Sequence, residues 1–179
     1  MKKIFLLITV AAVLNACNNE IKSGSADSDS TSAKSPVTLP YTASYSSSFE
    51  MGNPEFSATI LKGSWKDWEN NNIDNMKSWV ADTVVAFHSD NSMVRGVDSL
   101  IATWKRNRAQ YKAVIDTINA VIPVFSTDKK ENWVLVWATE INTKMDDSKD
   151  TVALMETWRI NKDGKADLLF QFERQKRKE

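Results

Sequence analysis

The sequence is poor in the residues that build most metal and nucleophile centres. It holds one histidine, His88, and one cysteine, Cys17. A zinc site of usual composition draws several ligands from these two types, so none is available. Five glycines are present, and they form no glycine-rich phosphate loop. No local motif sets a nucleophile beside a base and an orienting group. Neither sign of charge predominates, with 23 basic and 23 acidic residues. That balance argues against a nucleic-acid partner, which needs a basic surface. No apolar run reaches the roughly 20 residues that span a bilayer. These absences lead us to expect no cofactor and no metal.

What is present begins with an address. Lys2 and Lys3 precede the apolar run Ile4 to Leu14, which is followed by Asn15, Ala16 and Cys17. Basic start, short apolar run and a small residue before cysteine resemble the lipobox of bacterial lipoproteins. The resemblance implies cleavage after Ala16 and acylation of Cys17. Several acyl chains anchor a protein stably where one does not. The alternative is an ordinary secretory signal, which leaves Cys17 without a role. With Cys17 acylated, no thiol remains for chemistry. Asn18 after the cysteine, by resemblance to Gram-negative sorting signals, directs the protein to the outer membrane. Loss of residues 1–16 removes Lys2 and Lys3, leaving 21 basic against 23 acidic residues, a net charge of −2.

Asn18 to Ser48 is rich in Ser, Asp, Thr and Ala and poor in large apolar residues. Such a segment buries too little surface to offset its ordering entropy, so it is expected to be a disordered tether. As a flexible coil it reaches roughly 30–35 Å. Tyr41, Tyr45 and Phe49 are expected to be solvated with it, docking on the domain being the alternative. The expected divisions are a signal peptide at 1–16, the lipidated cysteine and tether at 17–53, a folded domain at 54–175 and a charged tail at 176–179.

The domain opens with helices. Asn53-Pro54-Glu55 supplies a cap, a proline at the first position and an acid in the first turn. This predicts a helix from Pro54 to about Glu69, with Ile60, Leu61, Trp65 and Trp68 on one broad side. Gly63 either weakens it or permits a close approach. Next comes NNNIDNMKSWVADTVVAFH, Asn70 to His88. Asn72 is a plausible cap for a short helix whose Ile73, Met76 and Val80 share a face. A break is expected at Ala81-Asp82, then a strand over Thr83 to Phe87 that ends at His88. Val84, Ala86 and His88 then point to one face. After a polar turn and a short strand at Met93 to Arg95, Gly96 precedes a helix carrying Val97, Leu100, Ile101, Trp104 and Tyr111 at helical spacing. Lys105, Arg106 and Arg108 fall opposite and are expected to be a solvated face rather than an anion site.

Strands fill the remainder: Val114 to Phe125, Trp133 to Thr143, Thr151 to Asn161 and Lys165 to Glu173. Pro123 indicates an edge or a bulge. Short turns between consecutive strands imply an antiparallel, strongly curved sheet. Helices first and strands later make the fold class α+β.

The order helix, polar turn, short helix, WVADTVVAFHSD and then RGVDSLIATW resembles the nuclear transport factor 2-like superfamily, which includes the SnoaL-like domains. The resemblance covers Pro54 to Gln175. It implies a curved sheet wrapped around the N-terminal helices, a cone with a hollow centre, and a homodimer formed through the sheet.

Two residues are candidates for chemistry. In the ketosteroid-isomerase branch of this superfamily a carboxylate base lies near the end of the strand that His88 closes, so the resemblance places His88 at that position. Imidazole is a suitable general base near neutral pH. Glu156 falls near the isomerases' oxyanion-stabilising acid. If Leu154 and Trp158 face inward, so does Glu156, and a buried carboxyl needs a partner or a raised pKa. The opposite register, with Met155 and Thr157 inward, is equally open. The isomerases' first-helix tyrosine would fall near Ser64 or Trp65, neither of which can act as that acid, so steroid isomerisation does not carry over.

All seven tryptophans lie beyond the tether. Trp65, Trp68, Trp104, Trp137 and Trp158 are candidate walls of a ligand pocket that would take a flat apolar molecule or a ring. Core and interface packing is the alternative use. Three functional readings remain. The leading one is a lipid-anchored, non-catalytic domain that binds a small apolar or ring-containing ligand or a protein partner. The second is a SnoaL- or isomerase-like enzyme with His88 as base and Glu156 as acid. The third is an assembly subunit with a filled cone.

Overall fold

The structure is a computed structural model that describes residues 40–174. The signal segment, Cys17, the tether up to residue 39 and the tail at 176–179 lie outside the described residues.

The first strand, β1 (Phe49–Met51), precedes the helices and lies in the segment expected to be tether. It pairs antiparallel with the end of the fourth strand, Phe49 opposite Ser126 and Met51 opposite Val124. Tyr45 also docks: its hydroxyl donates to Glu131, and its ring meets Trp133 edge-on at 6.2 Å. The tether expectation therefore fails near Tyr45. A sheet edge offers unpaired backbone groups, and even a short polar segment can satisfy them.

Helix α1 (Pro54–Ile60) starts as expected, with Asn53 Oδ1 accepting from the Glu55 amide at 2.9 Å. It continues into a wider π-helical segment, Leu61–Lys66, and closes with one α turn, α2 (Asp67–Glu69). The Asp67 amide reaches back five residues to Lys62 O, the signature of the widened turn. Gly63 lies inside it, and a Cβ there would come within 2.3 Å of the Trp79 indole. The glycine therefore serves close approach. The turn that accommodates the indole also buries Ser64 and Trp65.

A 3-10 turn (Ile73–Asn75) and α3 (Met76–Trp79) follow. Asn72 makes no side-chain cap there, because the segment enters as a 3-10 turn. Strand β2 (Val80–Phe87) begins three residues earlier than expected. Ala81-Asp82 is not a break but part of an irregularity, where the register against the last strand shifts between Val80 and Val85. Val84 and Ala86 are fully buried, so the predicted faces of this strand hold.

Strand β3 (Met93–Arg95) is followed by α4 (Val97–Arg108). Tyr111 does not share the face of that helix; it opens β4 (Tyr111–Ser126). Arg108 is not solvated either. It is 6 % exposed and donates to the carbonyls of Trp68, Glu69 and Tyr111 at 2.8–3.1 Å. The guanidinium ties the first helix's end to the start of β4.

Strands β5 (Glu131–Lys144), β6 (Lys149–Ile160) and β7 (Ala166–Arg174) complete a seven-stranded sheet ordered β1-β4-β5-β6-β7-β2-β3. The α+β class holds, but the sheet is mixed, because β2 runs parallel to β7. Helix α4, between β3 and β4, carries the chain from that end of the sheet toward the opposite edge, so that β7 meets β2 in parallel. The inner face carries Val134, Val136, Trp158 and Leu169, all fully buried. Each such side chain contributes about 2 kcal/mol over exposure. Edge-to-face indoles run through this core, Trp68 to Trp104 at 5.6 Å, Trp104 to Trp158 at 6.3 Å and Trp158 to Trp79 at 5.2 Å.

Candidate functional site

A cavity of about 200 Å³ opens between the π-helical turn, α4 and the inner face of the sheet. His88 and Glu156 both line it. The even-numbered positions of β6 face inward, which decides the register that the sequence left open. Val136 and Gln171 stand opposite Glu156 on the neighbouring strands. The parallel pairing of Phe87 with Phe170 carries His88 alongside Gln171.

Glu156 is 3 % exposed and accepts three hydrogen bonds. Ser64 Oγ and Trp158 Nε1 each donate to Oε2 at 2.8 Å, and Gln171 Nε2 donates to Oε1 at 3.1 Å. Burial raises its pKa above the usual carboxylate value, against the pull of these donors. His88 closes β2, its amide bonded to Ser92 O at 2.9 Å. Burial lowers the imidazole's pKa, opposed by a hydrogen bond with Gln171 and by Asp90. The ring is neutral at pH 7, and its Nε2 is buried without a hydrogen-bond partner. Gln171 thus joins the two candidates. Nothing in the sequence marked it beyond its alternation with Leu169 and Glu173.

Of the five candidate pocket tryptophans, Trp65, Trp68 and Trp104 line the cavity. Trp158 does not; it is wholly buried in the core and supplies a donor to Glu156. Trp137 is not in the cavity, because it alternates with the buried Val136 and Ala138 and so falls on the outer face of β5.

A second polar group was missed. Glu140 and Asn142 line the cavity from β5. Trp68 Nε1 donates to Glu140 Oε2 at 2.8 Å, and Asn142 Nδ2 donates to Oε1 at 2.6 Å. Burial raises the Glu140 pKa. Asp116 stands opposite Glu140 on β4, its carboxyl pushed up to about 8 by burial first and then by Glu140, Glu69 and Glu156. The signal was available: residues 134, 136, 138, 140 and 142 alternate on one strand face. Among the described residues, no cluster of three or more His, Cys, Asp or Glu is placed to hold a metal ion.

No protein-family model matches the chain. No curated protein matches it in sequence. Solved structures do match in shape. One is a nuclear transport factor 2-like protein of unknown function from Exiguobacterium sp. 255-15, with TM-score 0.55 and 14 % identity over 65 % of this chain and 99 % of that one. Another, from Shewanella denitrificans OS-217, is classed with SnoaL-like polyketide cyclases, with TM-score 0.56 and 11 % identity over 68 % and 92 %. A third, from Catenulispora acidiphila DSM 44928, has a ketosteroid isomerase-like fold and was solved with trimethylamine, with TM-score 0.54 and 13 % identity over 68 % and 86 %. The fold is the nuclear transport factor 2-like cone, as the sequence resemblance implied.

Proposed function

We propose that this is a lipid-anchored protein of the bacterial cell envelope whose cone binds a small ring-containing ligand without transforming it. The observation that carries the binding part is the cavity, where three indoles stand beside unsatisfied polar atoms of His88 and Asn142. A buried polar atom without a partner is costly, and a bound molecule can relieve it. The cavity is polar on the sheet side, so the ligand carries polar groups as well as a ring. Native mass spectrometry of the purified chain tests this. A co-purified small molecule that disappears in His88→Ala supports it; a chain that binds nothing in screening, with the cavity filled by water alone, overturns it.

One observation favours the enzymatic alternative. Glu156, Gln171 and His88 form a connected polar chain, with a raised acid at one end and a neutral imidazole at the other. Groups whose environments separate their pKa values are the material of acid-base catalysis. In this reading His88 Nε2 takes a proton from the ligand, and Glu156 is the acid. Turnover of a bound ligand, lost in His88→Ala and Glu156→Gln alike, would establish it.

The anchor reading rests on Lys2 to Cys17, and Asn18 supports the outer membrane as its destination. Fatty-acid labelling that persists in Cys17→Ser would refute it. We also propose that two copies pair through the outer sheet face, where Phe172 is 58 % exposed and Phe87 stacks on Phe170 at 5.2 Å. Sedimentation of the wild type and Phe172→Glu distinguishes dimer from monomer.

A further inference from the structure

We propose that the cavity selects a small protonated amine, a primary or secondary ammonium held between carboxylates and the faces of aromatic rings. The inference rests on the cavity being a ligand site and adds the ligand's charge and chemical class.

The first argument is charge. The lining includes Glu140, Glu156 and Glu173 and no lysine or arginine. Arg108 lies close enough to act on Glu140, but it does not line the cavity, and its nitrogens are engaged by three backbone carbonyls. His88 is neutral. Burial penalises the charged forms of Glu140 and Glu156, and a cation that enters offsets that penalty. Tyr111, which also lines the cavity, registers the same field. Burial and the negative charges of Glu140, Asp150 and Glu173 raise its phenol above the usual value.

The second argument is independent of charge. Asn142 is 2 % exposed. Its Nδ2 donates to Glu140 Oε1 at 2.6 Å. Its Oδ1 is buried with no hydrogen-bond partner. An unpaired acceptor calls for a donor on the ligand. His88 Nε2 is a second such acceptor in the same lining. An ammonium can donate to either acceptor; a quaternary ammonium can serve neither.

The third argument is the walls. Trp65, Trp68, Trp104 and Tyr111 give the cavity its aromatic surface. Indole faces attract cations, most strongly where water is excluded. A carboxylate ligand would meet three acidic side chains, and a neutral alcohol would gain a hydrogen bond from them but no charge attraction.

Three near-isosteric probes separate the possibilities: cyclohexylammonium, cyclohexanol and cyclohexanecarboxylate. Each is titrated calorimetrically into the full chain at pH 7, with the indole N–H resonances of Trp65, Trp68 and Trp104 reporting the location. The ammonium is expected to bind at least ~10-fold more tightly than the alcohol, and the carboxylate not at all. Asn142→Leu should weaken the ammonium but not the alcohol to the same degree. Glu173→Gln, at the exposed end of the lining, keeps the test open should Asn142→Leu fail to fold, and should also weaken the ammonium. Equal binding of ammonium and alcohol, or tighter binding of the carboxylate, overturns the amine inference and leaves the cavity as a ligand site. Absence of binding by all three overturns both.

Discussion

Asp116 and Glu140 face each other across the β4–β5 ladder, two carboxyl side chains on directly opposed residues. Burial first, and then the negative charge of Glu140, raises the Asp116 carboxyl, so it holds its proton up to about pH 8. In the unfolded chain the same group ionises near pH 3.8. Between these values the folded state binds the extra proton, so stability falls as pH rises. The contribution is fully present below pH 3.8 and is lost by the time pH passes about 8. Thermal denaturation should therefore show a lower Tm at pH 9 than at pH 6. Asp116→Asn, neutral throughout and able to donate to Glu140, should flatten that slope and raise Tm at pH 9. An unchanged slope would mean that the pair is not the source.

Gly63 packs directly on Trp79. Gly63→Ala places a methyl group 2.3 Å from the indole, less than any real contact distance. Either the π-helical turn or the indole must move. Overpacking of this kind costs about 1–3 kcal/mol, measurable by urea denaturation. A neutral or stabilising result would show that the turn adapts freely.

Arg108 serves three carbonyl oxygens of two separate segments. Arg108→Met keeps much of the stem and removes every donor. Losing these three bonds should cost about 3 kcal/mol or more, although Trp68 O keeps its bond from the Asn71 amide. Arg108→Lys should recover only part of it, because one ammonium cannot reproduce the planar fork. Full recovery by lysine would show that charge near Glu140, rather than the fork, is what matters.

His88 is half-buried at a strand end, and its ring makes no bond through Nε2. His88→Ala should lower ligand affinity by about tenfold, the equivalent of one hydrogen bond to a polar ligand atom. Its Tm should change little. A large drop in Tm with affinity intact would make the imidazole a structural group.

Much of this architecture was legible in the residues. The capped start at Asn53, the inward faces of β2 and the position of His88 follow from local periodicity and turn chemistry. Boundaries were less legible. Asn72 is a plausible cap, yet the chain enters as a 3-10 turn. Ala81-Asp82 looks like a break and is a register shift. In each case a contact elsewhere in the fold overrides the local preference.

The sequence by itself determined the order of elements from the first helix onward, because apolar spacing and turn residues act over a few positions; the cone was implied by the family resemblance. It left Glu156 poised between two registers, since a strand shifted by one residue exchanges its faces. The tertiary structure decided that question by pairing Glu156 with Gln171 and roofing it with Ser64. It also set Arg108 inside rather than outside, turned Trp137 away from the cavity and ran β2 parallel to β7. Those outcomes depend on partners that lie tens of residues apart in the chain, and only folding brings them within reach of one another.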